Sequence, residues 1–143
     1  MSGSMILIER LSEFFPVDSW QWNDGEVVTL DMISDAINKL WEPESEPFGD
    51  TYKYLCQKTK STEWHIRRIL YFVFHPQEIK DIDIDNVCYE GYIFPAPTIV
   101  DGNHRFMAAM WLNNHGKMNK VHCTYGGRLD VLDYLTGETD ICP

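Results

Sequence analysis

Pro97-Thr98-Ile99-Val100-Asp101-Gly102-Asn103-His104-Arg105-Phe106-Met107-Ala108-Ala109 is the stretch whose reading decides the fold. Thr98-Ile99-Val100 is a short apolar run suited to a strand, and Pro95 and Pro97 break the rhythm just before it. Beyond the turn, Phe106, Ala109, Met110 and Leu112 recur at apolar positions of a helix from about His104 to Asn114, with Gly116 as its C-terminal stop. Between strand and helix, Gly102 permits a backbone conformation closed to other residues and lets a ligand approach the main chain. The amides that open the helix have no partner inside it, and the helix dipole adds partial positive charge there. Arg105 offers a planar fork of donors matched to phosphate oxygens, and His104 can donate, accept or carry a proton near neutral pH. Asp101 can orient either side chain or hold a magnesium ion that bridges phosphates. Ordinary capping is the alternative: Asp101 as N-cap, Gly102 and Asn103 as turn residues, His104 and Arg105 solvated.

Upstream, Asp81-Ile82-Asp83-Ile84-Asp85 alternates strictly, the pattern of a half-buried strand. Val87 to Tyr89 and Tyr92 to Phe94 flank a Glu90-Gly91 turn and predict a hairpin. Ser61 or Thr62 caps an earlier helix with Glu63 in its first turn; Trp64, Ile66, Ile69, Leu70 and Val73 carry it to about Phe74, where Pro76 ends it. Within it His65 and Arg68 share one side. Taken alone, the two read as solvent-edge residues, Arg68 paired with Glu63 or another carboxylate. Thr29 caps a helix from about 30 to 41, and Met5 to Phe15 predicts a short helix stopped by Pro16. Trp20 and Trp22 fit a short strand or an aromatic loop, and 42 to 50 a surface loop. Downstream, Val121 to Thr124 predicts a strand, Tyr125-Gly126-Gly127 a turn, and Arg128 to Leu135 a final helix closed by Gly137. Strands alternating with helices predict one α/β or α+β domain over 5–143, a small mixed sheet with flanking helices. Met1-Ser2-Gly3-Ser4, ahead of a second Met5, is set aside as an appended remnant.

The chain of 143 residues, 44% apolar and 13% aromatic, is long enough to bury a core. Its net charge of −10 argues against broad binding to duplex nucleic acid and permits a basic protein partner instead. Cys56, Cys88, Cys123 and Cys142 are widely spaced without a C-x-x-C pair, which predicts reduced, mostly buried thiols in a cytoplasmic protein and no metal site. Apolar runs such as Ile69 to Phe74 are too short to span a membrane.

The Pro97 to Ala109 stretch also resembles the signature of the ParB/sulfiredoxin-like superfamily, whose members place D-G-x-H-R or a related sequence between a strand and a helix. The likeness extends to His65-Ile66-x-Arg68-Ile69-x-Tyr71, Ile82-Asp83-Ile84 and Gly126-Gly127-x-Leu129-Asp130. It covers 61 to 137, in the order found in small ParB-like proteins of phages, plasmids and other mobile elements. In the superfamily this unit binds nucleotide phosphates: ATP in sulfiredoxins, CTP in ParB proteins, and ADP in free-serine kinases with a D-G-H-H-R turn. The resemblance therefore implies a nucleotide on Gly102, Asn103, His104 and Arg105, with Arg68 as a second cation and His65 as a proton carrier. It also offers Gly126 and Gly127 as a second helix N-terminus and Glu63 as a base, while His122 and Asp130 read as structural. Asn103 stands where sulfiredoxins carry their cysteine, so sulfinic acid reduction is not expected. The chain also lacks room for the helix-turn-helix and dimerisation domains of partition proteins.

Three functional readings follow. One is a nucleotide-binding protein, ATP, ADP or CTP with or without magnesium, extending to phosphoryl transfer or nucleotide hydrolysis with Asp101 and His104 in the site. The second is a non-catalytic acidic protein of a phage or plasmid that blocks a host nucleic-acid-handling complex. The third is a ParB-like nuclease, which needs Asp101 and a second carboxylate on a divalent metal.

Overall fold

The alternation at 81–85 is part of strand β2, Ile82–Tyr89, which buries Ile82, Ile84 and Asn86 and turns Asp83 and Asp85 to solvent. Glu90 and Gly91 both take positive φ, 49° and 79°, the two-residue turn that matches strand twist, and return the chain into β3, Tyr92–Asp101. This computed structural model describes residues 3–17, 19–20, 22–23, 26–46 and 60–143. Gln21, Cys56 and the far end of the predicted loop at 42–50 lie outside them.

Pro95 and Pro97 do not break β3, contrary to the sequence expectation. The sheet order is β1-β4-β2-β3, so β3 is an edge strand, and a missing N–H on its open side removes no ladder bond. β4, Lys120–Tyr125, runs parallel to β2 and antiparallel to β1, Ser4–Leu7. The predicted helix over Met5 to Phe15 is thus a strand followed by a five-residue helix, α1, Ile8–Ser12. Both periods are written in that stretch. Ile6 and Ile8 point inward alternately, while Ile8, Leu11 and Phe15 follow helical spacing, and all four are buried. The free side of β4 takes up the first period. Ser4 pairs with Cys123, so the sheet begins there.

Helix α2, Leu30–Asn38, starts where Thr29 Oγ1 accepts from Met32 N at 3.2 Å and stops short of 41, with Leu40 at φ 58°. Helix α3, Thr62–Phe74, starts where Ser61 Oγ accepts from Trp64 N at 3.1 Å, and Pro76 diverts it into a single 3₁₀ turn, Pro76–Glu78. Helix α4, Asn103–Asn114, buries every residue from Phe106 to Leu112, because α1, α2, α3 and β2 all pack on it. Its Phe106 ring meets Phe15 and Trp20 edge-on at 5.8 and 6.0 Å, so Trp20 belongs to an aromatic loop on the core. Helix α5, Leu129–Thr136, is closed by Gly137 at φ 90°. The fold is mixed α/β, a four-stranded mixed sheet with flanking helices. Among the described residues, no helix is long and apolar enough to cross a membrane.

Candidate functional site

Strand β3 ends on the exposed Asp101, and the chain enters α4 through Gly102 at φ 113°. A side chain there would be strained by that angle, and its Cβ would lie 3.2 Å from Ile82 Cγ1 and 3.3 Å from Arg105 Nη2. Gly102, not Asp101, is the N-cap, and among the described residues no side-chain oxygen caps the helix. The first helical bond of α4 runs from Phe106 N to Gly102 O at 2.8 Å, which leaves the amides of Asn103, His104 and Arg105 ahead of the ladder. They open on a cleft of about 510 Å³ lined by Arg68, Phe72, Glu78, Val100 and residues 101–105.

Two guanidinium groups wall this cleft. Arg105 Nη1 donates to Lys80 O at 2.6 Å and Asp81 O at 3.3 Å, and its Nη2 stands 3.3 Å from Asp101 Oδ2. The fork is anchored at the start of β2 and still borders the cleft. Arg68 Nη1 donates to Glu44 O at 3.1 Å and Ser45 O at 3.0 Å, and its guanidinium lies over the Phe72 ring at 4.5 Å. Burial, with the like charge of Arg105 adding to it, lowers Arg68 from its ordinary value. The expected Glu63–Arg68 pair does not form; Glu63 is exposed and pairs with Arg67 one helical turn on, at 3.5 Å. Glu63 is not a wall of the cleft. Two carboxylates are, Asp101 and Glu78, and Glu78 accepts from Tyr71 OH at 2.6 Å, a bond that raises the Tyr71 phenol.

His65 is buried, contrary to the reading that placed it at the solvent edge, and its Nδ1 lies 2.8 Å from His104 Nε2 with the rings within 13° of parallel. Trp22 and Trp64 set their rings nearly perpendicular to both imidazoles, at 5.0 to 5.9 Å. Burial, then the charges of His65, Arg68 and Arg105, push His104 down to about 3. At neutral pH His104 is therefore a neutral imidazole. If its Nε2 accepts from His65, its Nδ1 carries the proton; if Nε2 donates, Nδ1 accepts.

Gly126 and Gly127 do not reach this cleft. A Cβ on Gly127 would collide with Asn86 Oδ1, and that oxygen accepts from Tyr125 OH at 2.7 Å and from Arg128 N at 3.3 Å. The start of α5 is thus held by the chain itself. His122 bonds Asp81 at 3.0 Å and Asp130 bonds Arg128 at 2.8 Å, the structural roles expected of them. Of the described thiols, Cys123 is buried and pushed up to about 12 by that burial, whereas Cys88 and Cys142 are exposed, where burial was expected. Glu78, Phe72, Trp22 and the Trp64 edge were not singled out by the sequence. The i, i+4 spacing of Arg68 and Phe72 on α3 was the available signal for one of them. No protein-family model, curated protein or solved structure matches the chain.

Proposed function

We propose that the protein binds a nucleotide through its phosphates at the start of α4. The observation that carries this reading is the convergence of Arg68, Arg105 and the glycine-led N-terminus of α4 on one open cleft. The anchoring of both guanidiniums by backbone carbonyls supports it too, since cations already held in place lose little freedom when an anion arrives. Neutral His104 then serves as a hydrogen-bonding group toward the ligand, with His65 holding its tautomer. Phe72 and Val100 supply apolar wall, and the exposed Asp101 is the carboxylate beside any magnesium ion carried in by the phosphates. The resemblance to the ParB/sulfiredoxin-like superfamily points to the same turn. Phosphoryl transfer or hydrolysis is the chemical extension of this reading, with the two arginines and the amides stabilising charge on the transferring group.

Thermal-shift and calorimetric titrations with ATP, ADP and CTP, with and without magnesium, test it. At least one nucleotide should stabilise the native chain, and Arg105→Ala and Arg68→Ala should each weaken binding by about tenfold or more. Equal stabilisation of native and Arg105→Ala chains, or none of either, rejects the reading.

A further inference from the structure

The β2–β3 hairpin outruns the sheet that carries it. β4 pairs with β2 only over Ile82 to Ile84, whereas β2 continues to Tyr89. The projecting end is apolar: Val87, Tyr89, Tyr92, Ile93 and Phe94 are exposed, Tyr89 by 66% and Tyr92 by 57%. Tyr89 and Tyr92 are cross-strand partners, and the Tyr92 ring meets Phe94 edge-on at 4.9 Å, so the three aromatics form one surface. A soluble domain rarely presents such a cluster without use for it. The end is also braced. Asn86 Nδ2 donates to Phe94 O at 3.0 Å and Arg128 Nη1 to Ile93 O at 2.9 Å, so docking there costs little ordering entropy.

Charge selects the occupant. From 81 to 104 the chain holds neither Lys nor Arg, and of its carboxylates Asp85 and Glu90 lie toward the projecting end, whereas Asp81 and Asp101 are paired with His122 and Arg105 at the far end. Arg128 at the base of the hairpin is already bound to Asp130 at 2.8 Å. A second copy would bring like charges together, on a chain whose net charge is −10. Pro95 and Pro97 remove two N–H groups from β3, which disfavours strand addition along that edge. We propose that the projecting hairpin is a docking surface for a basic polypeptide, whose apolar side chains cover Tyr89, Tyr92 and Phe94 while its Lys or Arg residues meet Asp85 and Glu90. The surface is separate from the nucleotide cleft, which lies at the other end of the ten-residue β3, about 30 Å away at strand rise.

Fluorescence anisotropy with a labelled amphipathic lysine-leucine-tryptophan peptide, its glutamate counterpart and polylysine tests the proposal on the full chain. The basic amphipathic peptide should bind the native chain and Arg105→Ala alike, and more tightly than either control. Tyr89→Ser with Tyr92→Ser, checked for folding by circular dichroism, should lose about tenfold or more in affinity. Asp85→Lys with Glu90→Lys gives an independent reading in which the same loss is expected. Binding undiminished in both variants, preference for the glutamate peptide, polylysine binding as tightly, or no binding at all overturns the proposal. So does a concentration-dependent dimer that the tyrosine variant abolishes, which would give the surface to a second copy.

Discussion

Gly102 concentrates the constraints of the cleft in one residue. Its φ of 113° is closed to L side chains, and a methyl group would press on Ile82 and on Arg105 Nη2, both within 3.3 Å. Gly102→Ala should therefore cost about 1–3 kcal/mol of stability, measured by urea unfolding. The same methyl displaces the Arg105 fork, so nucleotide stabilisation should fall beyond what the lost stability explains. An unchanged urea midpoint would show that the turn relaxes freely. Gly102, His104 and Arg105 were legible because one turn holds all three and each has its own local signature. Glu78 and Trp22 were not, since each reaches the cleft or the imidazoles from outside that turn without a motif, and Phe72 was marked only by its spacing from Arg68 on α3. The buried His65 shows the same limit from the other direction. Its partner His104 stands 39 positions away, and helical spacing alone could not tell its side of α3 from the solvent edge.

At the level of elements, Asn86 joins three of them. From β2 it accepts from Tyr125 OH of β4 and from Arg128 N at the start of α5, and it donates to Phe94 O of β3. It is buried, so removing it takes away the acceptor of the Tyr125 phenol and the donor to the Phe94 carbonyl, while Arg128 N keeps the Tyr125 oxygen at 3.0 Å. Asn86→Ala should destabilise by about 2–4 kcal/mol, read as a lowered denaturation midpoint, and should speed amide exchange in β3 and the first turn of α5. Loss confined to global stability, with protection of those amides unchanged, would deny it the role of joint. Helix α3 was readable from its Ser61 cap and its period, α4 from the glycine turn that opens it, α5 from its period and the closing Gly137, and the hairpin from Glu90-Gly91. Strand β1 and the length of β3 were hidden because both depend on sheet neighbours: β4 recruits residues 4–7, and the open edge excuses two prolines.

For the molecule as a whole, the order β1-β4-β2-β3 could not be read from local pattern, since it places strands next to each other that are remote in sequence. That order brings the start of β2 beside the end of β3, and α3 packs the imidazole of His65 onto His104. Folding thus buries a titratable ring near two arginines and couples global stability to pH. His104 titrates near 6.5 in an unfolded chain and near 3 when folded. Between those values the unfolded chain holds the extra proton, so stability is full above about pH 6.5 and falls as pH drops toward 3, with a slope approaching about 1.4 kcal/mol per unit. The window from pH 6.5 to 5 lies above the range where most carboxylates titrate, and comparison with a His104→Gln chain subtracts what the other groups contribute. Urea unfolding across that window should show native stability declining and His104→Gln declining less steeply, whatever the variant's absolute stability. Parallel slopes for the two chains would mean that His104 charges within the native fold, and that its burial, with the charges of His65, Arg68 and Arg105, holds it down less than the geometry implies.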